Sequence, residues 1–171
     1  MALSGMNPAE VLIGPCTIKV GPEGSEEDFG LTAESGVRFR VKKEFVDIPA
    51  DQAYGFVKKS LLNVRQFISL ELEQISPEAM SIVFDTESSP SGDTLDFAYV
   101  PDPAERRIVL EGAARNGNTF SYVTNVHFVH VGDVVRSKTA AAVMPVVAEE
   151  VPQIETGKVT FGTYSETSQG S

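Results

Sequence analysis

The chain has 171 residues, of which 42% are hydrophobic and 22% are charged, a composition typical of one globular domain. No apolar run approaches the roughly 20 residues of a membrane helix, so we expect no membrane insertion. The net charge of −10 opposes a surface that binds duplex DNA, because phosphate contacts require clustered positive charge. The single cysteine, Cys16, excludes an internal disulfide and fits a reducing compartment. The N-terminal "MALSGMNPAEVLIGPC" lacks the pattern of a secretory signal.

The first half of the chain alternates with a period of two, which predicts strands. After "VLIGPCTIKVGP" comes the acidic, glycine-rich "GPEGSEEDFG" (21–30), which predicts a flexible connector. A basic strand follows and ends at Pro49: the apolar Val37, Phe39 and Val41 alternate with basic side chains. The basic positions of this segment are Arg38, Arg40, Lys42 and Lys43.

The segment "LLNVRQFISLELEQI" (61–75) also alternates and predicts a half-buried antiparallel strand. One face carries Leu62, Val64, Gln66, Ile68, Leu70 and Leu72. The other face carries Asn63, Arg65, Ser69, Glu71 and Glu73, together with Leu61 and Phe67.

The segment "SPEAMSIVFD" (76–85) predicts one short helix. Ser76 is a suitable N-cap, Pro77 suits the first helical position, and Ala79, Ile82 and Val83 form an apolar face. The following "DTESSPSGDT" has almost nothing to bury, which predicts a mobile loop near 85–105.

The last third predicts a hairpin and two further strands. Asn116-Gly117 suits a tight turn between "RRIVLEGAAR" and "NTFSYVTNVHFVHV". On the second arm we expect Phe120, Tyr122, Val126 and Phe128 to share one face. Strands "AAVMPVVAEEV" and "GKVTFGTY" and a polar tail at 165–171 complete the chain. The sequence therefore predicts one mainly β domain over 1–171, an antiparallel sandwich or barrel with one short flanking helix.

Motifs for catalysis or metal binding are weak. His127 and His130 are three apart, which on a regular strand places the two rings on opposite faces and disfavours a metal site. The glycine-rich segment lacks the Lys-Ser/Thr of a phosphate-binding loop. Neither a nucleophile elbow nor a base partner for Cys16 is visible. We therefore expect no enzyme activity and no cofactor, although carboxylates can still assemble in space into a hydrolase site.

The basic strand has three interpretations. Its side chains form a solvated face, a groove for nucleic acid, or a surface complementary to acidic patches on another copy of the chain. A nucleic-acid groove requires exposed aromatic side chains between the cations, and here Phe39 falls on the apolar face. Complementarity between copies would fix register more than it would add affinity.

The order of these segments resembles the major tail tube proteins of long-tailed bacteriophages, and more distantly the type VI secretion tube protein. The resemblance runs over roughly residues 10 to 163. It rests on a Gly-Pro segment, the strand start in "TAESGVRFRV", the polar "VDIPADQAYG", the strand-to-helix passage "LELEQISPEAMSIVF", and the late "VMPVVAEEV" and "GKVTFGTY". The strand start is Ser35-Gly36, where the family commonly has two glycines.

The resemblance implies a β-sandwich with a flanking helix that forms hexameric rings. The rings stack into a tube whose channel conducts DNA. Such a protein belongs to the virion and assembles in the cytoplasm of the bacterial host. Its partners are its own copies, the tail tip or baseplate, the tape measure protein and the tail terminator. DNA passes without specific binding.

Two groups of residues follow as site hypotheses. Contacts between protomers or rings are expected at Arg38, Arg40, Lys42, Lys43, Asp47, Asp51, Gln52, Thr86 and Asp93. The channel is expected to be lined by Asn63, Arg65, Ser69, Glu71 and Glu73, in which Arg65 is the one basic side chain. The alternatives are a monomeric β-sandwich that binds carbohydrate or protein, or another structural protein of the virion.

Overall fold

The computed structural model describes residues 10–13, 16–32, 36–49, 56–73, 76–86, 102–114, 117–133 and 143–168. Within these ranges the chain forms eleven strands and one short helix. In chain order these are β1 (Glu10–Ile13), β2 (Cys16–Val20), β3 (Glu27–Leu31), β4 (Val37–Pro49), β5 (Phe56–Glu73), α1 (Pro77–Val83), β6 (Arg106–Ala113), β7 (Thr119–Val131), β8 (Val143–Glu150), β9 (Gln153–Glu155), β10 (Lys158–Thr160) and β11 (Thr163–Thr167). The predicted mainly β class with one short helix is confirmed.

Nine of the strands form one antiparallel sheet in the order β1-β4-β5-β8-β7-β6-β2-β3, with β11 beside β7. The sheet folds over on itself, because an isolated bridge joins Thr32 to Leu72 at the end of β5. Aromatic contacts cross the enclosed space: Phe39 meets Tyr122 edge to face, with ring centroids 4.9 Å apart. Among the described residues the strands do not close into a barrel, so the sandwich-like alternative describes the fold.

The core lies inside this folded sheet and follows the period of two. β8 alternates strictly between half-buried and buried positions, as the sequence pattern predicts. The side chains that are almost fully buried come from most strands: Ile18, Val37, Ile68, Leu72, Ile108, Leu110, Phe120, Val126, Met144 and Val146. All four residues predicted for one face of β7 are buried.

The helix begins as predicted. The Ser76 side chain accepts a hydrogen bond from the Ala79 amide at 3.1 Å, and Pro77 occupies the first turn. Ala79 and Val83 are buried against the core, and Ile82 packs beside them. Seven residues are too few for an independent helix, so this packing supplies the stability of α1.

The connector prediction for residues 21–30 is wrong in its second half. Residues 27–31 form β3, which pairs with β2, and Phe29 is buried against Phe128. Positive φ values at Gly21 and Gly24 make the tight turn that returns the chain to β2. The acidic residues hid this strand, because it is short and its single large apolar side chain gives no visible period.

The C-terminal region also differs from the prediction. "GKVTFGTY" was expected to be one strand, but it breaks at Phe161 and Gly162 into β10 and β11. β11 pairs with β7, so the predicted polar tail begins inside a strand. The β6–β7 hairpin is confirmed, but its connection spans Ala114 to Asn118 and is longer than a two-residue turn.

The segment predicted to be a mobile loop begins in the folded body. Asp85 is buried, and one of its carboxylate oxygens lies 3.4 Å from an Arg106 side-chain nitrogen. Residues 87–101 lie outside the described residues, so the loop itself stays a prediction.

Candidate assembly surface

The longest strands, β4 and β5, extend beyond the rest of the sheet. β4 pairs with β1 only along Val37–Arg40, and β5 pairs with β8 only along Phe67–Glu73. Beyond these points, residues 42–49 and 56–65 pair only with each other within the described part of the chain. We call this two-stranded projection the arm. Eight residues of strand give it a length of roughly 25 Å.

The arm exposes large apolar side chains. Leu62 is 70% exposed and Phe45 is 55% exposed; Val46 and Leu61 are each close to half exposed. These four residues, which we call the arm patch, lie around a bulge between the pairs Glu44–Asn63 and Phe45–Leu61. Phe45 and Leu61 are directly paired and share one face of the arm, whereas Val46 follows Phe45 on β4 and lies on the opposite face. Exposed apolar side chains grouped in this way are typical of a contact surface.

Charge is distributed unevenly between the arm and the body. Residues 37–66 hold seven of the 14 Lys and Arg but three of the 24 Asp and Glu, which gives this segment a charge of +4. The remaining residues therefore carry −14. The arm itself, residues 42–49 and 56–65, holds five Lys and Arg against two Asp and Glu, which gives it a charge of +3 on a chain whose net charge is −10.

Three of the predicted contact residues, Arg38, Arg40 and Lys42, share a surface with the predicted channel-lining residues of β5. Strand pairing places Arg38 opposite Ser69 and Lys42 opposite Arg65, and directly paired antiparallel residues share a face. Arg38, Arg40 and Lys42 are exposed as predicted. The basic side chains of β4 therefore lie beside the predicted channel-lining side chains of β5, although the sequence suggested two separate sites. Lys43 is also exposed, but it is the neighbour of Lys42 on the strand and pairs with Val64.

Arg65 has a structural reason to stand in an acidic row. Its guanidinium donates two hydrogen bonds to the Glu149 carboxylate, each 2.6 Å long, and lies over the ring of Phe67. These bonds hold the pKa of Glu149 below its usual range and raise the pKa of Arg65. The pair neutralises both charges across β5 and β8. Sequence reasoning missed it because the adjacency of β5 and β8 cannot be read from spacing.

The other predicted site residues are placed as follows. Asn63, Asp47 and Glu71 are exposed, Ser69 and Glu73 are half-buried, and Thr86 lies half-buried just after α1. Asp47 pairs in register with Lys59 on the arm. Asp51, Gln52 and Asp93 lie outside the described residues, and their roles stay predictions.

Sequence reasoning missed the buried carboxylate of Glu150, which is 1% exposed at the end of β8. One oxygen accepts hydrogen bonds from the Tyr122 hydroxyl at 2.7 Å, the Thr124 hydroxyl at 3.0 Å and the Gly162 amide at 3.3 Å. The other oxygen accepts from the Gln66 side-chain amide at 3.0 Å. Burial and the adjacent Glu150 charge raise the pKa of Tyr122, which keeps this hydroxyl a donor.

The Glu150 network joins the base of the arm to the C-terminal segment. Gln66 lies on β5 where the arm begins, and Gly162 lies between β10 and β11. Gly162 packs so closely that a Cβ at this position would lie 2.6 Å from atoms of Tyr122 and Thr124. In the sequence, the one indication of this buried network was Gln66, a polar residue on the otherwise apolar face of β5.

β9 and β10 form a small separate hairpin. All six strand residues are exposed, and the apolar Ile154 and Val159 are a directly paired couple that is 75% and 47% exposed. We call this pair the hairpin patch. Both ends of the hairpin are tied to the sheet: the Val151 amide donates to the Asn125 carbonyl at 2.8 Å, and the Gly162 amide donates to Glu150.

The described residues contain no group of three or more side chains suited to a metal ion. The register between β7 and β8 shifts between Phe128 and His130, so the two histidines do not lie on a regular strand as the sequence argument assumed. A cleft of about 580 Å³ is lined by Arg106 and Arg107 among others. Both arginines already face carboxylates, Asp85 and Glu26 respectively. No helix in the described ranges is long and apolar enough to cross a membrane.

No protein-family model and no curated protein sequence matches the chain. Several solved structures do match. A chain of the six-fold symmetrised baseplate of the anti-feeding prophage aligns with a TM-score of 0.50 and 10% identity, over 96% of this chain and 97% of that one. Chains from the C6-symmetric tail of an empty gene transfer agent particle and from the native particle's virion align at 15% identity, with TM-scores of 0.49 and 0.47. Each of these covers 85% of this chain and 94% of the other. The baseplate chain shares this fold.

Proposed function

We propose that this chain is a non-enzymatic structural subunit of a phage-type tail, which forms hexameric rings that stack into a tail tube. The arm is the observation that carries this proposal: it projects from the sheet, exposes four large apolar side chains and concentrates positive charge on an acidic chain. The fold shared with a chain of the six-fold symmetrised baseplate of the anti-feeding prophage supports it.

The arm patch can supply the energy of association. Burying the exposed half of one large apolar side chain is worth about 1 kcal/mol. A contact with the face that carries the directly paired Phe45 and Leu61 therefore offers on the order of 2 kcal/mol before the cost of ordering. In a ring or a stack every copy makes this contact, so individually modest contacts accumulate into a cooperative assembly.

Channel lining is proposed for the polar face of β5. Ser69, Glu71 and Glu73 present short polar and acidic side chains, and the bond to Glu149 neutralises Arg65 on the same face. Arg40 and Lys42 neighbour this row on β4, and Lys42 lies 3.3 Å from a Glu44 carboxylate oxygen. Carboxylate partners for Lys42 and Arg65 would weaken adhesion of DNA to this surface. Arg38 lies beside Ser69, so we place it at the border between the lining and the arm contact.

A tube of this kind also needs partner proteins at its two ends and inside its channel. The proposed tube joins a tail tip or baseplate at one end and a terminator at the other. A tape measure protein fills the channel before DNA replaces it. We place the assembled protein in the virion and its assembly in the host cytoplasm. Asp47, Asp51, Gln52, Thr86 and Asp93 remain proposed contacts between rings.

Electron microscopy of the purified protein over a range of concentrations, together with its mass in solution, tests the proposal. Hollow tubes or six-membered rings of uniform diameter are the expected result. A particle that stays monomeric at every concentration, and after addition of a tail-tip complex, would refute it. The monomeric binding module would then become the better interpretation.

A further inference from the structure

We infer that the arm patch of one copy docks on the hairpin patch of a second copy. The inference rests on the proposed function, because it names the contact through which copies associate. The two patches contain six of the eight large hydrophobic side chains that the described structure leaves well exposed. The other two, Val129 and Tyr164, lie apart on β7 and β11.

The hairpin patch is built as a fixed receptor. An isolated two-stranded hairpin is marginally stable in water, and β9 and β10 have only three residues each. Here both ends of the hairpin are anchored, at Val151 and at the Glu150 network through Gly162. The anchors hold Ile154 and Val159 in place, although neither side chain is covered by the chain itself.

Charge selects a second copy as the occupant. The hairpin is locally balanced, because Glu155 pairs in register with Lys158. The body that carries it has a charge of −14, against +4 for residues 37–66. Complementary potentials favour approach of an arm to a body and oppose contact between two bodies or between two arms.

The contact is between different surfaces, which determines the kind of assembly. When one patch of a copy binds another patch of the next copy, the interface is heterologous and every copy keeps one free site of each kind. Such an interface closes into a ring or continues as a filament. A projection of roughly 25 Å gives the arm the length to reach a neighbouring body.

Cross-linking between two cysteine variants tests the contact. Leu62→Cys protein, carrying a size tag, is assembled with untagged Ile154→Cys protein and oxidised with diamide. Native Cys16 does not interfere, since it is buried and burial raises the pKa of its thiol to about 11. The matched control replaces Ile154→Cys by Val129→Cys, an exposed aliphatic position outside both patches.

The expected result is a tagged–untagged heterodimer at least ten times more abundant than in the control mixture. Tubes that assemble but give no excess over the control would overturn the inference and leave the proposed function intact. Failure of the wild-type protein to form rings or tubes would instead reject the proposed function.

A second measurement decides the matter if the cysteine variants do not assemble. Ile154→Lys should raise the protein concentration needed for assembly at least tenfold with an unchanged circular dichroism spectrum, while Val129→Lys should not. Assembly of Ile154→Lys at the wild-type concentration would contradict the docking contact.

Discussion

The Glu150 network gives the sharpest stability prediction. Replacing Glu150 by Met keeps a side chain of similar length and removes both acceptor oxygens. The buried Tyr122 hydroxyl then loses its acceptor, and the buried Thr124 hydroxyl keeps only a long contact of 3.4 Å to the Asn125 carbonyl. Gln66 and Gly162 are half-buried, so water can replace their lost bonds at lower cost.

The magnitude follows from the two buried donors. A buried donor without a partner costs about 1–3 kcal/mol. Two of them, with a smaller cost at Gln66 and Gly162, give an expected loss of about 3–5 kcal/mol in the free energy of unfolding. Glu150→Gln should lower the free energy of unfolding by only about 1 kcal/mol. Its amide oxygen can still accept the hydrogen bonds of Tyr122, Thr124 and Gly162, and the Gln66 side chain can rotate to present its oxygen to the new amide nitrogen.

Urea unfolding of freshly purified monomer at low concentration measures both changes. Hydrogen exchange adds a local readout, since residues 161–167 should lose protection in Glu150→Met. Glu149→Gln is the matched control: it removes the neighbouring carboxylate of the partly exposed Arg65 pair, and it should change stability little and leave 161–167 protected.

Equal stability of Glu150→Met and Glu150→Gln would show that the hydrogen bonds do not stabilise the fold. Unchanged protection at 161–167 would show that Glu150 does not anchor the C-terminal segment. Either result would contradict the view that the Glu150 network holds the β9–β10 hairpin in place.

Three further predictions concern alkali, packing and assembly. The pKa of Tyr122 is raised in the folded state, so its contribution to the free energy of unfolding is complete below pH about 10 and is lost as the pH rises above this value. In urea titrations at alkaline pH, the free energy of unfolding should therefore fall less steeply for Tyr122→Phe than for the wild type. Gly162→Ala should destabilise by about 1–3 kcal/mol in thermal unfolding, because its Cβ would overlap Tyr122 and Thr124. Arg38→Glu with Arg40→Glu should raise the concentration for assembly roughly tenfold in light scattering, with the monomer still folded; unchanged assembly would exclude a contact role.

The elements were largely predictable because the sheet follows a strict period. The alternation of β4, β7 and β8 is visible in the sequence, and it matches their buried positions. Ser76 and Pro77 mark the start of α1 by local chemistry that needs no knowledge of the fold. β3 was missed and β11 was predicted only in its first two residues, because short strands with polar or acidic side chains depend on pairing with β2 and β7.

The candidate site was less predictable, since it depends on which strands become neighbours. Sequence spacing marks Arg65 and Glu149 as single charges, and only the pairing of β5 with β8 makes them a salt bridge. Glu150 follows another acid, Glu149, in the sequence, and its place in the alternation of β8 puts it on the core side. The bulge at Val129 likewise could not be read from the sequence, and the argument from the three-residue spacing of His127 and His130 holds only for a regular strand.

Leu62 shows where the monomer and the sequence pattern differ. The alternation predicts Leu62 on the same apolar face as Ile68, Leu70 and Leu72; those three are buried, but Leu62 is 70% exposed. Beyond the last residues paired to β8, no other described strand lies beside the arm, so an apolar side chain there has nothing to pack against. The alternation also ends at Leu62, because the bulge pairs Leu61, and not Leu62, with Phe45. If the protein assembles as proposed, a second copy would cover the apolar side chains exposed here. The exposed half of β5 is therefore the part of the sequence most informative about assembly.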